Sequence, residues 1–167
     1  PLYGVTVEGA GENIYITNTS RLVRYNTTAG WWEDLAVPGI FMNGSCLCWG
    51  GGNYIYALGG GSYSMVAEPL RRNYKFYRYD ISNDNWTNLA NTPWHQGPGD
   101  ALTWVKIGDN EYIYAFLSTT SDPSAPGNKV QFWRYNITDD NWDENLAPPL
   151  YGADDGASLA WTGGDYI

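Results

Sequence analysis

The stretch RYDISNDNW, residues 78–86, decides how this chain folds, because the same pattern occurs three times. It aligns without gaps with RYNTTAGWW at residues 24–32 and with RYNITDDNW at residues 134–142. Each copy has a Tyr seven residues before a Trp, and the last Trp residues of the copies are separated by 54 and then 56 residues. Leu-Ala and then Pro follow every copy. A fixed period of this length indicates a repeat architecture.

Two further patterns keep the same period and complete the unit. NYIYAL at residues 53–58 matches EYIYAF at 111–116, with shorter copies at 13–16 and 165–167. A segment ending in Trp precedes it, at residues 46–49, 101–104 and 158–161. We name these segments strand A (ending in Trp) and strand B (Tyr-Ile-Tyr), the run ending in Arg-Tyr strand C, and the segment beginning at the Trp strand D. Asp, Asn, Ser and Thr between strands C and D favour a tight turn, as Gly clusters do between strands A and B.

A Gly doublet after strand B (Gly59-Gly60), a Tyr and a Trp at fixed spacing and a following Pro resemble the kelch repeat family. The resemblance covers nearly the whole chain, although Thr17-Asn18 and Leu117-Ser118 replace the doublet in the other units. It implies an all-β fold of β-propeller blades, each a four-stranded antiparallel sheet. We expect three blades plus part of a fourth, with approximate units 1–38, 39–93, 94–148 and a partial unit 149–167.

Three units and part of a fourth are too few to close a propeller, which typically has four to eight blades. We therefore expect a fragment of a larger ring or an open, assembled repeat array. PLYG occurs at residues 1–4 and again at 149–152. The recurrence fits one turn of the repeat, a three-blade unit used twice in a ring, or copies stacked head to tail in a filament.

The composition excludes several classes of partner. The chain has 9 Lys and Arg against 18 Asp and Glu, a formal charge of −9, so we expect no nucleic-acid binding. No run of 18 apolar residues is present, so we expect no membrane insertion. Cys46 and Cys48 lie two residues apart on one strand, at or beyond the reach of a disulfide, and we interpret them as small buried residues.

Signals for catalysis are weak. His95 is the one histidine, whereas kelch-like copper oxidases use several His and Tyr ligands, and no Gly-x-Ser-x-Gly motif accompanies it. The acidic turns lack the spacing of an EF-hand. A carboxylate pair for glycoside hydrolysis stays open, because Asp and Glu are plentiful. We expect no enzyme activity, no metal and no cofactor.

Five Asn-x-Ser/Thr sequons occur, none with Pro in the middle. The same residues are also ordinary turn formers. Three of the sequon asparagines, Asn26, Asn85 and Asn136, are expected to lie exposed in the turn between strands C and D. The five asparagines are Asn18, Asn26, Asn43, Asn85 and Asn136.

The loops that join strands B to C and D to A emerge on one face of a propeller. Long loops of this kind are often functional. This face collects aromatic residues and arginines, which are favoured at interfaces and, for the aromatic faces, in sugar stacking. The same residues could equally cap the packing between blades. The candidate binding residues are Phe41, Tyr63, Arg71, Arg72, Trp94, His95 and Tyr151.

Three functions remain in competition. The first is an extracellular or cell-surface module for binding or adhesion that recognises a protein or carbohydrate through this face. The second is a structural repeat subunit of a glycosylated extracellular filament or surface coat, whose partners are other copies of itself. The third is a glycan-acting enzyme domain.

Overall fold

The computed structural model describes residues 6–18, 20–39, 41–42, 44–61, 73–118, 130–143, 146–149 and 157–167. These residues form three four-stranded antiparallel sheets, each with its strands in chain order. The fold is therefore all-β and built of propeller-type blades, as the repeat predicts. None of the described residues forms a helix that could cross a membrane.

Each blade lies inside one of the predicted units. Blade 1 consists of β1 (Thr6–Ala10), β2 (Asn13–Thr17), β3 (Leu22–Asn26) and β4 (Trp31–Leu35). Blade 2 consists of β5 (Cys46–Trp49), β6 (Tyr54–Leu58), β7 (Phe76–Asp80) and β8 (Asn85–Asn88). Blade 3 consists of β9 (Ala101–Ile107), β10 (Asn110–Ser118), β11 (Val130–Asn136) and β12 (Asn141–Asp143). The four strands of each blade are strands A to D in that order.

The strand register places the repeated residues on opposite faces of each blade. In blade 2, Ile55 pairs with Tyr79 and Tyr79 pairs with Trp86, so these side chains share one face. Tyr56 pairs with Arg78, and Arg78 pairs with Thr87, on the other face. Because side chains alternate along a strand, the Tyr-Ile-Tyr motif supplies apolar surface to both neighbouring blades.

The core lies between the blades. The innermost strand β5 contacts β1 on one side and β9 on the other. Aromatic and aliphatic side chains fill both interfaces, as the two-sided burial of strand B requires. The buried residues between blades 1 and 2 are Ala10, Tyr15, Leu22, Phe41, Leu47, Ile55, Ala57 and Tyr79. Those between blades 2 and 3 are Cys46, Cys48, Tyr56, Leu58, Phe76, Leu102, Ile113, Ala115, Leu117, Tyr135 and Trp142.

Both cysteines belong to the second interface and carry free, buried thiols. Burial raises the pKa of Cys46 well above its ordinary value, and the nearby carboxylate of Asp100 raises it further. Burial likewise raises the pKa of Cys48. The two residues therefore act as small apolar side chains of the core.

A hydrogen-bonded joint connects blade 2 to blade 1. Asp84, in the turn between β7 and β8, accepts hydrogen bonds from the Tyr79 hydroxyl at 2.8 Å and from the Ala36 backbone N–H at 2.9 Å. The Trp86 indole N–H donates to the Ala36 carbonyl at 2.8 Å. Asp84 has a positive φ of 47°, a conformation that short polar side chains tolerate.

The same joint connects blade 3 to blade 2. Asp140, with a φ of 48°, accepts from the Tyr135 hydroxyl at 2.6 Å and from the Ala90 N–H at 2.9 Å. The Trp142 indole N–H donates to the Ala90 carbonyl at 3.0 Å. The repeated Tyr, Asp, Trp and Leu-Ala of the sequence thus form one contact that joins consecutive blades.

The predicted fourth unit, residues 149–167, forms no strand in its described part. Its residues nevertheless follow the repeat. Leu159 packs against the cluster around Phe116, and Trp161 contacts Trp104 with ring centroids 5.9 Å apart. The Trp161 indole N–H donates to Gly164 O at 2.8 Å, as that of Trp49 donates to Gly52 O at 3.2 Å in blade 2.

Candidate binding site

The connection from β8 to β9, residues 89–100, is held rigidly against the end of blade 2. Thr92 donates its backbone N–H to Tyr74 O at 2.9 Å, and its hydroxyl donates to Trp94 O at 2.8 Å. Gln96 is 2% exposed and donates its backbone N–H to Asn73 O at 2.9 Å. The two backbone bonds tie the connection to the residues that precede β7, and the Thr92 hydroxyl bond closes a turn within the connection itself.

The Gln96 side chain adds three more bonds. Its amide nitrogen donates to Lys75 O at 2.9 Å and contacts the Thr92 hydroxyl at 3.2 Å, and its amide oxygen accepts the Gly60 N–H at 2.9 Å. Because these partners satisfy the Gln96 amide, its burial costs little free energy. Losing one of the hydrogen bonds would leave a buried polar group unpaired, which destabilises the fold. Gln96 therefore fixes the geometry of the connection.

Two glycines allow the backbones to approach closely. A Cβ on Gly61 would lie 2.0 Å from Gln96 O, and one on Gly44 would lie 2.1 Å from Gly97 O. Either contact is far inside van der Waals distance, so the loop ends of blade 2 require glycine here. The Gly cluster after strand B thus lets the B–C loop end meet the D–A connection.

Asp100 closes the other end of the connection. It is 5% exposed, and its carboxylate accepts the Gly97 N–H at 2.9 Å. The Asp100 N–H donates back to Gly97 O at 3.3 Å. This tight turn leads directly into the innermost strand β9 and positions the preceding residues.

Trp94 and His95 form a pair of stacked aromatic rings on this connection. Their rings stack with centroids 5.3 Å apart and an interplanar angle of 28°. Trp94 packs against the core between blades 2 and 3, and both side chains are half-buried. The Trp94 indole N–H is buried and makes no hydrogen bond within the described part of the chain. The arrangement presents a pre-organised aromatic pair on a rigid loop.

Of the other predicted binding residues, one is buried in the core and four lie outside the described residues. Phe41 is 1% exposed, and its ring packs against Tyr77 and Trp86 with centroids 6.4 Å and 5.8 Å apart. It belongs to the core, so we do not include it in the candidate site. Tyr63, Arg71, Arg72 and Tyr151 lie outside the described residues.

Sequence reasoning did not single out Gln96 or Asp100, whose buried polar side chains shape the connection. The Gly97-Pro98-Gly99 stretch between them marks a turn. Nothing in the local sequence shows that a glutamine would be buried against another strand's carbonyl. The burial of Gln96 depends on the tertiary contact between blade 2 and the connection, which the local sequence does not encode.

The sequon asparagines lie at turns and on one edge strand. Asn18 and Asn26 each accept two backbone N–H bonds that close a turn. Asn136 does the same and also donates to Asp139 at 2.7 Å. Asn85 is exposed at the start of β8, and Asn43 lies outside the described residues.

No group of three His, Cys, Asp or Glu residues within the described ranges could hold a metal ion. A polar cleft of about 370 Å³ lies on blade 3, beside Tyr112, Arg134 and Asp143. Arg134 is ion-paired with Asp143 and lies over the Tyr112 ring at 4.8 Å. Because the Arg134 guanidinium of this cleft is already paired with Asp143, we place the candidate site at Trp94 instead.

Searches against protein families and curated proteins found no match. The fold is similar to that of a solved protein described as "Structure of YjhT", with a TM-score of 0.65 and 14% sequence identity. The similarity covers 92% of this chain and 54% of YjhT, so the chain spans about half the length of that protein. At this identity the likeness concerns the fold alone.

Proposed function

We propose that this chain is a kelch-like extracellular module for binding or adhesion that recognises a ligand through the face containing Trp94 and His95. The observation that supports the proposal is the stacked pair itself, held on a connection that is hydrogen-bonded to blade 2 along its length. Rigid aromatic side chains bind with little loss of conformational entropy.

Carbohydrate is the ligand class that this pair favours, and a protein surface is the alternative. The faces of aromatic rings suit the apolar face of a sugar ring, and the stacked pair is half-buried rather than fully buried. The formal charge of −9 disfavours polyanions such as nucleic acid.

The proposal is tested on a printed array of oligosaccharides of defined structure, probed with the labelled chain and with Trp94→Ala. We expect the wild-type chain to bind a restricted set of glycans, and Trp94→Ala to lose that binding while keeping the same far-ultraviolet circular dichroism spectrum. Trp32→Ala is the matched control, since Trp32 is 55% exposed but lies on blade 1. Equal signals from wild type and Trp94→Ala would overturn the proposal.

One observation favours the second candidate, a structural subunit that assembles with its own copies. Blade 1 carries the Tyr25–Trp32 pair, whose rings lie 4.8 Å apart, on the face that is packed in blades 2 and 3, and Trp32 is 55% exposed there. Gly30 occupies the position of Asp84 in that turn, so the carboxylate of the joint is missing there. Small-angle scattering at increasing concentration tests this candidate. A constant monomer mass would exclude it, whereas the growth of elongated particles would support it.

A further inference from the structure

The three blades differ at one position of strand D that faces the arginine of strand C. In blade 1, Arg24 forms an ion pair with Glu33. In blade 3, Arg134 forms one with Asp143. In blade 2, the residue paired with Arg78 is Thr87, which carries no charge.

Among the described residues, Arg78 has an aromatic partner instead of a carboxylate. Its guanidinium lies over the Tyr54 ring, 4.6 Å from the ring centroid. No ion pair of Arg78 occurs within the described part of the chain. Blade 2 is therefore the exception among the three blades, with a neutral threonine where the other two have a carboxylate paired with the arginine.

Thr87 completes a sequon, Asn85-Trp86-Thr87. Blade 3 has Asn141-Trp142-Asp143 at the same positions, so it keeps the Asn and the Trp but has the acid in place of the hydroxyl. The difference between Thr87 and Asp143 therefore decides whether a blade has the ion pair or the glycan acceptor motif.

The edge of blade 2 offers a second, independent observation. β8 is the outermost strand of its sheet and carries no charged residue, whereas β4 carries Glu33 and Asp34 and β12 carries Asp143. Exposed edge strands pair with other chains unless charges, proline or a covering group prevent it. A glycan on β8 would protect the edge that lacks charges.

Asn85 is also the most accessible of the described sequon asparagines. Asn85 and Thr87 are both exposed, and the Asn85 side chain makes no hydrogen bond with any described residue. By contrast, the side-chain oxygens of Asn18, Asn26 and Asn136 accept backbone hydrogen bonds within their turns.

We propose that Asn85 carries an N-linked glycan that covers the exposed edge of blade 2. The donor is an oligosaccharide on a lipid phosphate or diphosphate, and a host transferase catalyses the step. A bond forms between the Asn85 amide nitrogen and the anomeric carbon, while the bond from that carbon to the phosphate oxygen breaks. The lipid phosphate leaves with the electron pair, and the amide nitrogen gives one proton to a base of the transferase.

The inference shares the extracellular location with the proposed function but is independent of ligand binding. Asn85 follows the turn between strands C and D, whereas Trp94 lies on the connection from strand D to strand A, at the opposite end of the blade. The modification would leave the Trp94 face free. Loss of the glycan and loss of binding are therefore separate outcomes.

The test is to secrete the whole chain from mammalian cells behind a cleavable leader and to map glycopeptides by mass spectrometry. Enzymatic release of glycans in ¹⁸O water then marks each occupied asparagine as aspartate. We expect most molecules to be modified at Asn85 and Thr87→Ala to abolish that modification. An unmodified Asn85 would overturn the proposal, whether or not another sequon is occupied.

Two further variants test the explanation for Thr87. Thr87→Glu removes the sequon and introduces an acid opposite Arg78, so it should melt at a higher temperature than wild type when both are produced without glycans in a bacterial host. Asp143→Thr creates the equivalent sequon at Asn141 and should be modified there in mammalian cells, and without glycans it should melt at a lower temperature than wild type. If Thr87→Glu does not raise the melting temperature, the ion pair was not exchanged for the sequon and the argument fails.

Discussion

The indole N–H of Trp86 donates a hydrogen bond to the carbonyl of Ala36, which lies fifty residues earlier in the chain, at 2.8 Å. The N–H of the same Ala36 donates to Asp84 at 2.9 Å. One residue at the end of strand D therefore joins its blade to the next through both of its backbone polar groups. Trp142, Asp140 and Ala90 repeat the contact one blade later.

Replacing Asp84 with Gly should weaken the joint between blades 1 and 2. Glycine tolerates the positive φ of this position, and blade 1 has a glycine, Gly30, at the equivalent position. The substitution therefore preserves the backbone conformation while it removes the carboxylate. Tyr79 and Ala36 would each lose a hydrogen-bond acceptor. We expect the free energy of unfolding to fall by about 1 to 2 kcal/mol, measured by urea denaturation.

Asp84→Asn is the control for that prediction. Its amide oxygen accepts hydrogen bonds and its side chain tolerates a positive φ, so most of the stability should remain. A loss in Asp84→Asn as large as in Asp84→Gly would show that the carboxylate charge matters more than the hydrogen bonds.

Gly61→Ala should displace the connection that carries Trp94. Its Cβ would lie 2.0 Å from Gln96 O, so one of the two backbones must move. We expect a loss of about 1 to 3 kcal/mol in the free energy of unfolding, together with weaker ligand binding. Gly9→Ala is the matched control, because a Cβ on Gly9 would meet nothing within 4 Å beyond its chain neighbours, and its stability should change by less than about 0.5 kcal/mol.

Glu8 gives the protein a defined pH dependence. Burial raises the pKa of the Glu8 carboxyl from its ordinary 4.5, and a hydrogen bond from the Trp49 backbone offsets only part of this effect. The folded state thus binds the Glu8 proton more tightly than the unfolded state, so the contribution of Glu8 to stability is fully present below pH 4.5 and is lost as the pH rises through the raised value.

Glu8→Gln should remove that dependence. Relative to wild type, the variant should become more stable as the pH rises above 4.5 and keep a constant advantage at still higher pH. Melting temperatures between pH 4 and pH 8 measure the difference. A constant difference across this range would mean that Glu8 has an ordinary pKa in the folded protein.

Cys46 and Cys48 should resist thiol reagents in the folded protein. Both are buried, and burial raises the pKa of each, so almost no thiolate is present at neutral pH. Titration with a disulfide reagent should find no reactive thiol in buffer and two in 6 M guanidinium chloride. Rapid reaction of the native chain would show that the interface between blades 2 and 3 opens.

The repeat was sufficient to predict the strands and the blades, because the alternation around Tyr54-Ile55-Tyr56 and the polar C–D turns are local signals. The role of Asp84 was predicted only in part. Its turn was expected to close locally, but the carboxylate also reaches Ala36 in the neighbouring blade. Contacts between units cannot be inferred from the pattern of a single unit.

The candidate site was likewise predicted only in part from the sequence. Trp94 and His95 were predicted as neighbours on a loop, and the structure stacks their rings. Phe41 was predicted for the same surface, but it fills the core between blades 1 and 2. An aromatic residue beside a turn serves packing and recognition equally well, so its sequence position alone does not distinguish the two roles.

The most direct test of the central claim is the dissociation constant of wild type, Trp94→Ala and Trp32→Ala for the glycan bound most strongly on the array, measured by isothermal titration calorimetry. Loss of a stacking aromatic at the centre of a site should weaken binding by about tenfold or more, equivalent to about 1.4 kcal/mol. We predict this loss for Trp94→Ala and an unchanged constant for Trp32→Ala. Equal constants for wild type and Trp94→Ala would contradict a binding site at this face.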